Sequence, residues 1–165
     1  MPAMLPVPIE FQLPEGWDAA DPDKADAPGV AFAALHPERD NGFAANITID
    51  GEYRPDAATL SQIAEESVQR MHELAHEVQV VDRAEVGSSA APALTQSMSF
   101  SAVSEGARRH LVQSQVYLAM LDDTDPCRRA VIRLVLTATP AQIDSVIDDF
   151  SELVGTVRPD TDATS

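Results

Sequence analysis

The string His-Glu-Leu-Ala-His at residues 72–76 carries the clearest chemical pattern in the chain. On a helix, His72 and His76 would lie one turn apart and could hold a zinc ion, with Glu73 placed to polarise a bound water. A catalytic zinc normally takes three protein ligands. Residues 92–101, where a carboxylate ligand would fall, contain no Asp or Glu, and no third histidine follows at the spacing of other zinc proteases. We therefore interpret the string as a helix-surface pair, with a small zinc hydrolase as the rival hypothesis.

Cys127 is the single cysteine, which excludes an internal disulfide and a cysteine-based zinc site. Arg128 and Arg129 follow it and could lower the pKa of its thiol. The residue opens a predicted strand after Pro126, where a lone cysteine is more often a small packing residue.

Other patterns of reactive residues are incomplete. Acidic pairs occur at 122–123 and 148–149, but the first lacks the glycine and the distal glutamate of a calcium loop. The chain has seven glycines, no GxSxG string and no glycine-rich phosphate loop. The sequence therefore predicts neither a catalytic residue nor a cofactor.

Charge restricts the partners of the chain. Its 165 residues include 27 Asp and Glu against 11 Lys and Arg, a formal net charge of −16. Such a polyanion is repelled by nucleic acid and by anionic lipid, so neither is an expected partner. No stretch approaches the ~18 apolar residues of a membrane span. The first ten residues contain no Lys or Arg, and we expect a cytoplasmic protein.

The elements that would position a site are predicted as two groups of strands, each followed by a helix. Residues 7–13, 29–36 and 42–50 alternate apolar and polar side chains and predict three strands, with a long irregular connection after the first of them. A helix is predicted from Asp56, its expected N-cap. Its apolar positions recur at intervals of three and four residues: Leu60, Ile63, Ala64, Val68, Met71 and Ala75.

Four more strands are predicted at 77–86, 93–103, 108–121 and 127–138, joined by short polar connections that suit antiparallel hairpins. Thr139, Pro140 and Gln142 then form the start of a second helix, with a capping box. The predicted fold class is α+β: a single-domain sandwich with a largely antiparallel sheet of about six or seven strands, flanked by two helices. It spans residues 1–158, and the polar residues 159–165 are expected to be a disordered tail.

One face of the last two strands combines polar and apolar side chains. Alternation places Gln113, Gln115 and Tyr117 on it, with Arg133 from the next strand near Gln115. An acidic side chain from an Asp-rich loop or from a helix could pair with Arg133 under partial cover. Alternatively, the face is a groove for a peptide or an apolar ligand, rimmed by the loop that carries Trp17. Trp17 could instead be a lid on the core.

Five segments, in this order, resemble the PsbP-like superfamily, and most nearly its bacterial LpqN branch. They are FQLPEGW at 11–17, FAANITI at 43–49, LVQSQVYL at 111–118, VLTAT at 135–139 and DDFSELVGTVRP at 148–159. The resemblance extends from about residue 9 to 158. It implies a central antiparallel sheet flanked by helices, a habit of binding partners, and no shared catalytic residue.

Together these observations predict a non-catalytic accessory protein, an adaptor or chaperone-like molecule that holds a protein partner. The negative field would favour a basic partner. A homodimer through an open edge strand is an alternative state. A small-molecule carrier is the third functional hypothesis, beside the zinc hydrolase.

Overall fold

The computed structural model of the chain describes residues 9–20, 30–40, 42–54, 56, 58–88, 91–104, 106–120 and 129–159. In chain order the elements are β1 Ile9–Glu10, β2 Asp18–Ala20, β3 Phe32–Asp40, β4 Phe43–Tyr53, α1 Leu60–Leu74, β5 His76–Gly87, β6 Pro92–Ser104, β7 Ala107–Met120, β8 Ala130–Ala138, α2 Pro140–Thr156 and β9 Arg158–Pro159. Among these, neither helix has the length and apolar character that a membrane crossing requires.

A seven-stranded sheet forms the centre, in the order β2-β3-β4-β8-β7-β6-β5. Every neighbouring pair is antiparallel. The predicted α+β class is therefore confirmed. The outer strands are β2, of three residues, and β5, of twelve.

The two helices cover opposite faces of the sheet. Successive β7 residues show this, because Val116 packs in the core beneath α2 while Tyr117 packs beneath α1. The α2 core is the larger and contains Ile47, Ile49, Ile132, Leu134, Leu136, Val146, Phe150 and Leu153. Burial of these aliphatic and aromatic side chains is the main stabilising contribution to the fold.

Capping boxes begin both helices. The predicted cap of α2 is confirmed, since Thr139 Oγ1 accepts a hydrogen bond from the Gln142 backbone N–H at 3.3 Å. The predicted N-cap of α1 is wrong, because Thr59 caps that helix with Gln62 as its reciprocal partner. Asp56 lies before the helix, where its carboxylate accepts two hydrogen bonds from Arg54.

The N-terminal part departs most from prediction. In the described part of the strand predicted at 7–13, which is residues 9–13, β1 forms a ladder with β9 and residues 11–13 do not. Part of the connection predicted to be irregular forms β2 at the sheet edge. The turn predicted after His36 comes later, since β3 continues to Asp40 through a register shift. Arg158 belongs to β9 and forms an ion pair with Glu10, and residues 160–165 lie outside the described residues.

Candidate functional site

Four of the predicted site residues share one face, as the alternation predicted, but this face is covered by α1. Tyr117 lies directly opposite Arg133, and Gln115 lies opposite Val135. The arginine is therefore displaced by one same-face position from the expected place beside Gln115. Gln115 and Tyr117 are each 1% exposed. Gln115 and Tyr117 are therefore buried beneath α1, whereas Gln113 and Arg133 stay partly exposed.

A chain of side-chain amides fills the centre of this interface. Gln96 Nε2 donates to Gln115 Oε1 at 2.8 Å, and Gln115 Nε2 donates to Gln113 Oε1 at 2.8 Å. Gln113 continues the chain to Thr137 Oγ1 at 3.2 Å, and Arg83 Nε donates to Gln96 Oε1 at 2.9 Å. Buried amides are costly unless they are hydrogen-bonded. These bonds give Gln113 and Gln115 a structural role.

The phenol of Tyr117 joins the amide chain to α1. Its oxygen lies 2.8 Å from Gln115 Oε1 and 2.6 Å from Ser67 Oγ. An amide oxygen only accepts and a phenol carries one proton, so Tyr117 donates to Gln115 and accepts a hydrogen bond from the Ser67 hydroxyl. Burial raises the pKa of Tyr117, which keeps the phenol protonated in this role.

Two guanidinium groups reach the same serine. Arg70 Nη2 lies 3.1 Å and Arg133 Nη1 lies 3.3 Å from Ser67 Oγ. Arg133 Nε also lies 3.6 Å from Asp50 Oδ1 on β4. The acidic partner predicted for Arg133 therefore exists, but it comes from a neighbouring strand and not from a loop or a helix. At that distance it is an ion pair without a hydrogen bond, and Arg133 Nε has no hydrogen-bond partner within the described residues.

Burial affects the pKa of the Asp50 carboxyl more than the charge of Arg133 does. Desolvation raises the pKa of the Asp50 carboxyl, and the positive charge of Arg133 only partly opposes this. Glu52 raises the pKa further and Arg70 lowers it. The carboxylate of Asp50 is thus incompletely compensated.

These groups line a pocket of about 360 Å³ between α1 and the sheet, which we call the Asp50 pocket. Its polar members are Asp50, Glu52, Ser67, Arg70, Tyr117 and Arg133, and its apolar members are Val30, Ile63 and Val131. Asp50, Ser67 and Arg70 were not among the site residues predicted from the sequence. Alternation along NITID places Asp50 on the polar side of β4, and Ser67 falls in helical register with Ile63, so both signals were present.

Trp17 lies on the other side of the sheet. It is 6% exposed and packs in the α2 core. Its Nε1 donates to Asp149 Oδ2 at 3.0 Å, and its ring meets His36 edge-on at 5.0 Å between centroids. The structure therefore does not bring Trp17 together with Tyr117 and Arg133. It covers the core, as the second interpretation proposed.

The histidine string is divided between two elements. His72 lies in the last turn of α1, which ends at Leu74, whereas His76 is the first residue of β5. Both histidines and Glu73 are exposed. Within the described ranges, no three His, Cys, Asp or Glu side chains gather closely enough to hold a metal ion. Cys127 and the acidic pair at 122–123 lie outside those ranges.

The long edge strand β5 is a further exposed feature. Its outer side has no neighbouring strand among the described residues. Val80, Val81 and Val86 are 40%, 68% and 47% exposed, high fractions for aliphatic side chains. Register shifts interrupt the pairing with β6 before Asp82, while residues 82–87 pair regularly. We call this regular segment together with the three valines the β5 edge.

Comparisons with known proteins reveal a shared fold. Neither protein-family models nor curated protein sequences match the chain. Several solved structures match it. LpqN, involved in cell envelope biogenesis of Mycobacterium tuberculosis, is 13% identical in sequence, and the match has a TM-score of 0.64 and covers 96% of this chain and 89% of LpqN. Cyanobacterial PsbP from Synechocystis is 18% identical, with a TM-score of 0.58 over 92% and 86% of the two chains. PA94 of Pseudomonas aeruginosa, a protein of unknown function, is 17% identical, with a TM-score of 0.59 over 78% and 81%.

These likenesses extend over most of each chain while sequence identity stays low, so they establish architecture and not activity. They match the resemblance found in the sequence motifs, and they agree with the two helices on opposite faces of an antiparallel sheet. The chain therefore has the PsbP-like fold.

Proposed function

We propose that the protein is a non-catalytic accessory protein that binds a protein partner through the β5 edge. The observation that carries this proposal is an edge strand of twelve residues with three exposed valines, whose outer side meets no other strand in the described part of the chain. An open strand edge presents unpaired backbone N–H and C=O groups, and a partner segment in extended conformation can satisfy them.

The regular half of β5 is the part best suited to accept such a segment. Bulges distort an edge and protect it from pairing, and the register shifts of β5 all precede Asp82. Residues 82–87 therefore offer an undistorted ladder edge. Val81, at the last register shift, and Val86 flank or end this segment and supply exposed apolar surface for the partner.

Charge at the β5 edge favours a basic partner. Glu77, Asp82 and Glu85 are exposed along β5. Arg83 is the one Lys or Arg in β5. Its guanidinium donates to Glu65 on α1 at 3.0 Å, so its charge is already paired. The edge thus presents net negative charge on a chain that is itself at −16. We infer a partner segment that combines apolar residues with Lys or Arg.

Site-specific photo-crosslinking tests this proposal. A benzophenone amino acid at position 81 should capture one protein in the source cells, while the same group at Glu152, exposed on α2, should not. The captured partner is then purified and titrated with the wild type, with Val81→Lys and with Ala141→Lys as a matched control on α2. We expect Val81→Lys to weaken the affinity about tenfold or more, because it removes an apolar contact and adds positive charge. Ala141→Lys should leave the affinity unchanged.

Three outcomes would contradict the proposal. Crosslinking equally from both positions would show no preference for the β5 edge. An unchanged affinity in Val81→Lys would move the interface elsewhere. A self-adduct alone would assign the β5 edge to a second copy of this chain, as in the homodimer alternative.

A further inference from the structure

Two guanidinium groups line the Asp50 pocket, and their contacts within the described residues leave N–H donors unused. Arg70 bonds to Ser67 Oγ, and no carboxylate in the described part of the chain lies within ion-pair distance of it. Arg133 has one acid, Asp50, at 3.6 Å and a buried Nε without a hydrogen bond. By contrast, Arg54 forms close ion pairs with three carboxylates, those of Glu52, Asp56 and Glu66. Two guanidiniums that converge on one neutral hydroxyl leave donors free for another acceptor.

The carboxylates near the pocket do not accept hydrogen bonds from these free guanidinium donors. Glu52 bonds to Arg54 at 2.9 Å and is directed to that cluster. Asp50 Oδ1 lies 3.6 Å from Arg133 Nε, too far for a hydrogen bond, so it pairs with that guanidinium by charge alone. In the described part of the chain, no carboxylate is hydrogen-bonded to the free donors of Arg70 and Arg133, although the chain carries a large excess of acidic residues.

We propose that the Asp50 pocket binds the carboxylate of a ligand between Arg70 and Arg133, next to the hydroxyl groups of Ser67 and Tyr117. Guanidinium and carboxylate match in geometry, and hydrogen bonds between ions are stronger than those between neutral groups. A pocket of about 360 Å³ is in the range of small-ligand sites. Val30, Ile63 and Val131 form its apolar wall, which suits a short alkyl substituent on the acid.

The negative charge of Asp50 favours a singly charged ligand. A dianion such as phosphate would be repelled more strongly by this carboxylate than a monocarboxylate would be. A monocarboxylate can share one proton with Asp50, in the manner of paired carboxyl groups. Binding would then take up a proton, so the ligand should bind more tightly as the pH falls. The charged groups that face Asp50 are Glu52 on its own strand, Arg133 on β8 and Arg70 on α1, and Tyr117 on β7 adds a neutral phenol.

Titrations followed by backbone amide NMR signals test the proposal with butyrate, and with butyramide as the uncharged control. Butyrate should shift signals of β4, β8 and α1 around the pocket in a saturable way, and butyramide should not. Asp50→Asn removes the competing charge and should tighten butyrate binding about tenfold at pH 7, whereas Arg70→Gln removes one donor and should weaken it about tenfold. Arg108→Gln, an exposed residue of β7, is the matched control and should leave the affinity unchanged.

A second pair of probes identifies the source of the carboxylate. If acetyl-trialanine with a free C-terminus binds more tightly than butyrate and its C-terminal amide does not bind, the ligand is the end of a peptide. Equal affinity of the peptide acid and butyrate indicates a free small acid. The proposal is overturned if neither carboxylate saturates, if phosphate binds more tightly than both, or if Arg70→Gln behaves like Arg108→Gln. This site and the β5 edge are tested by different variants, so either can fail alone.

Discussion

The hydroxyl oxygens of Ser67 and Tyr117 lie 2.6 Å apart, although the two residues are 50 positions apart in the sequence. Ser67 is on α1 and Tyr117 is on β7. This contact fixes the helix to the sheet at a point where a phenol, an amide and two guanidiniums meet. Because Ser67, Gln115 and Tyr117 are all buried, loss of one hydroxyl leaves buried polar atoms without a partner.

Removing the Ser67 hydroxyl should therefore destabilise the fold. We expect Ser67→Ala to lower the free energy of unfolding by about 1–3 kcal/mol, because its donors lose a buried acceptor. Ser61→Ala is the matched control on the same helix, since Ser61 Oγ has only a long contact of 3.4 Å to Glu85. It should change stability by less than about 0.5 kcal/mol. Urea denaturation measures both, and equal effects would contradict the assigned role of Ser67.

The indole of Trp17 depends on Asp149 for its hydrogen bond of 3.0 Å. Asp149→Ala leaves a buried N–H unpaired and should cost about 1–3 kcal/mol of stability. Asp149→Asn keeps an acceptor oxygen and should cost less. Asp148→Ala, at the exposed neighbouring position, serves as the control. Trp17 is the sole tryptophan, so its fluorescence during urea unfolding reports each variant. An Asp148→Ala effect as large as that of Asp149→Ala would refute this assignment.

Substitution by alanine should change the stability of the protein in opposite directions at two glycines. Gly87 ends β5 with φ of +83°, and a Cβ there would lie 2.4 Å from the Ala91 carbonyl oxygen. Gly87→Ala should destabilise the protein by about 2 kcal/mol or more, from backbone strain and this clash. Gly155 lies in α2 with nothing within 4 Å of an added Cβ. Gly155→Ala should stabilise the protein by up to about 1 kcal/mol. Thermal unfolding distinguishes these signs, and a neutral Gly87→Ala would show that the turn can relax.

Stability should depend on pH through Asp50. Burial raises the pKa of its carboxyl above the unfolded value of 3.8. Between these two values the folded state binds more protons than the unfolded state, so the contribution of Asp50 is present below pH 3.8 and is lost as the pH rises through the folded pKa. Asp50→Asn cannot titrate. Its stability relative to the wild type should therefore increase from pH 3.5 to pH 7.

Urea denaturation of the wild type and Asp50→Asn at several pH values tests this sign. Other acids titrate in the same range, but they are common to both proteins and cancel in the difference. A difference that stays flat or falls as the pH rises would show that Arg133 compensates the carboxylate fully.

Local patterns gave most of the fold from the sequence. Alternation identified β6, β7 and β8, and the capping box at Thr139 identified the start of α2, because both signals lie within a few adjacent residues. The start of α1 was misassigned although Thr59 and Gln62 carry the same capping pattern. Asp56 is also a common N-cap residue, and Arg54 binds it in the folded chain, which only the tertiary structure shows.

The site was harder to predict because its members meet through tertiary packing. Alternation correctly placed Gln115, Tyr117 and Arg133 on one face, but it could not show which helix covers that face. The β7–β8 register decides that Arg133 faces Tyr117, and it is not determined by the local pattern. Trp17 reaches the opposite core through a connection that the sequence predicted only as irregular.

Amide hydrogen exchange of the protein, alone and with the partner recovered by crosslinking at position 81, tests the central claim most directly. Exchange protection on binding should concentrate in residues 82–87, because their edge backbone groups become hydrogen-bonded in the complex. Signals of α2, on the surface away from this edge, should not change. Protection confined to α2, or none in residues 82–87, would contradict binding by addition of a strand to β5.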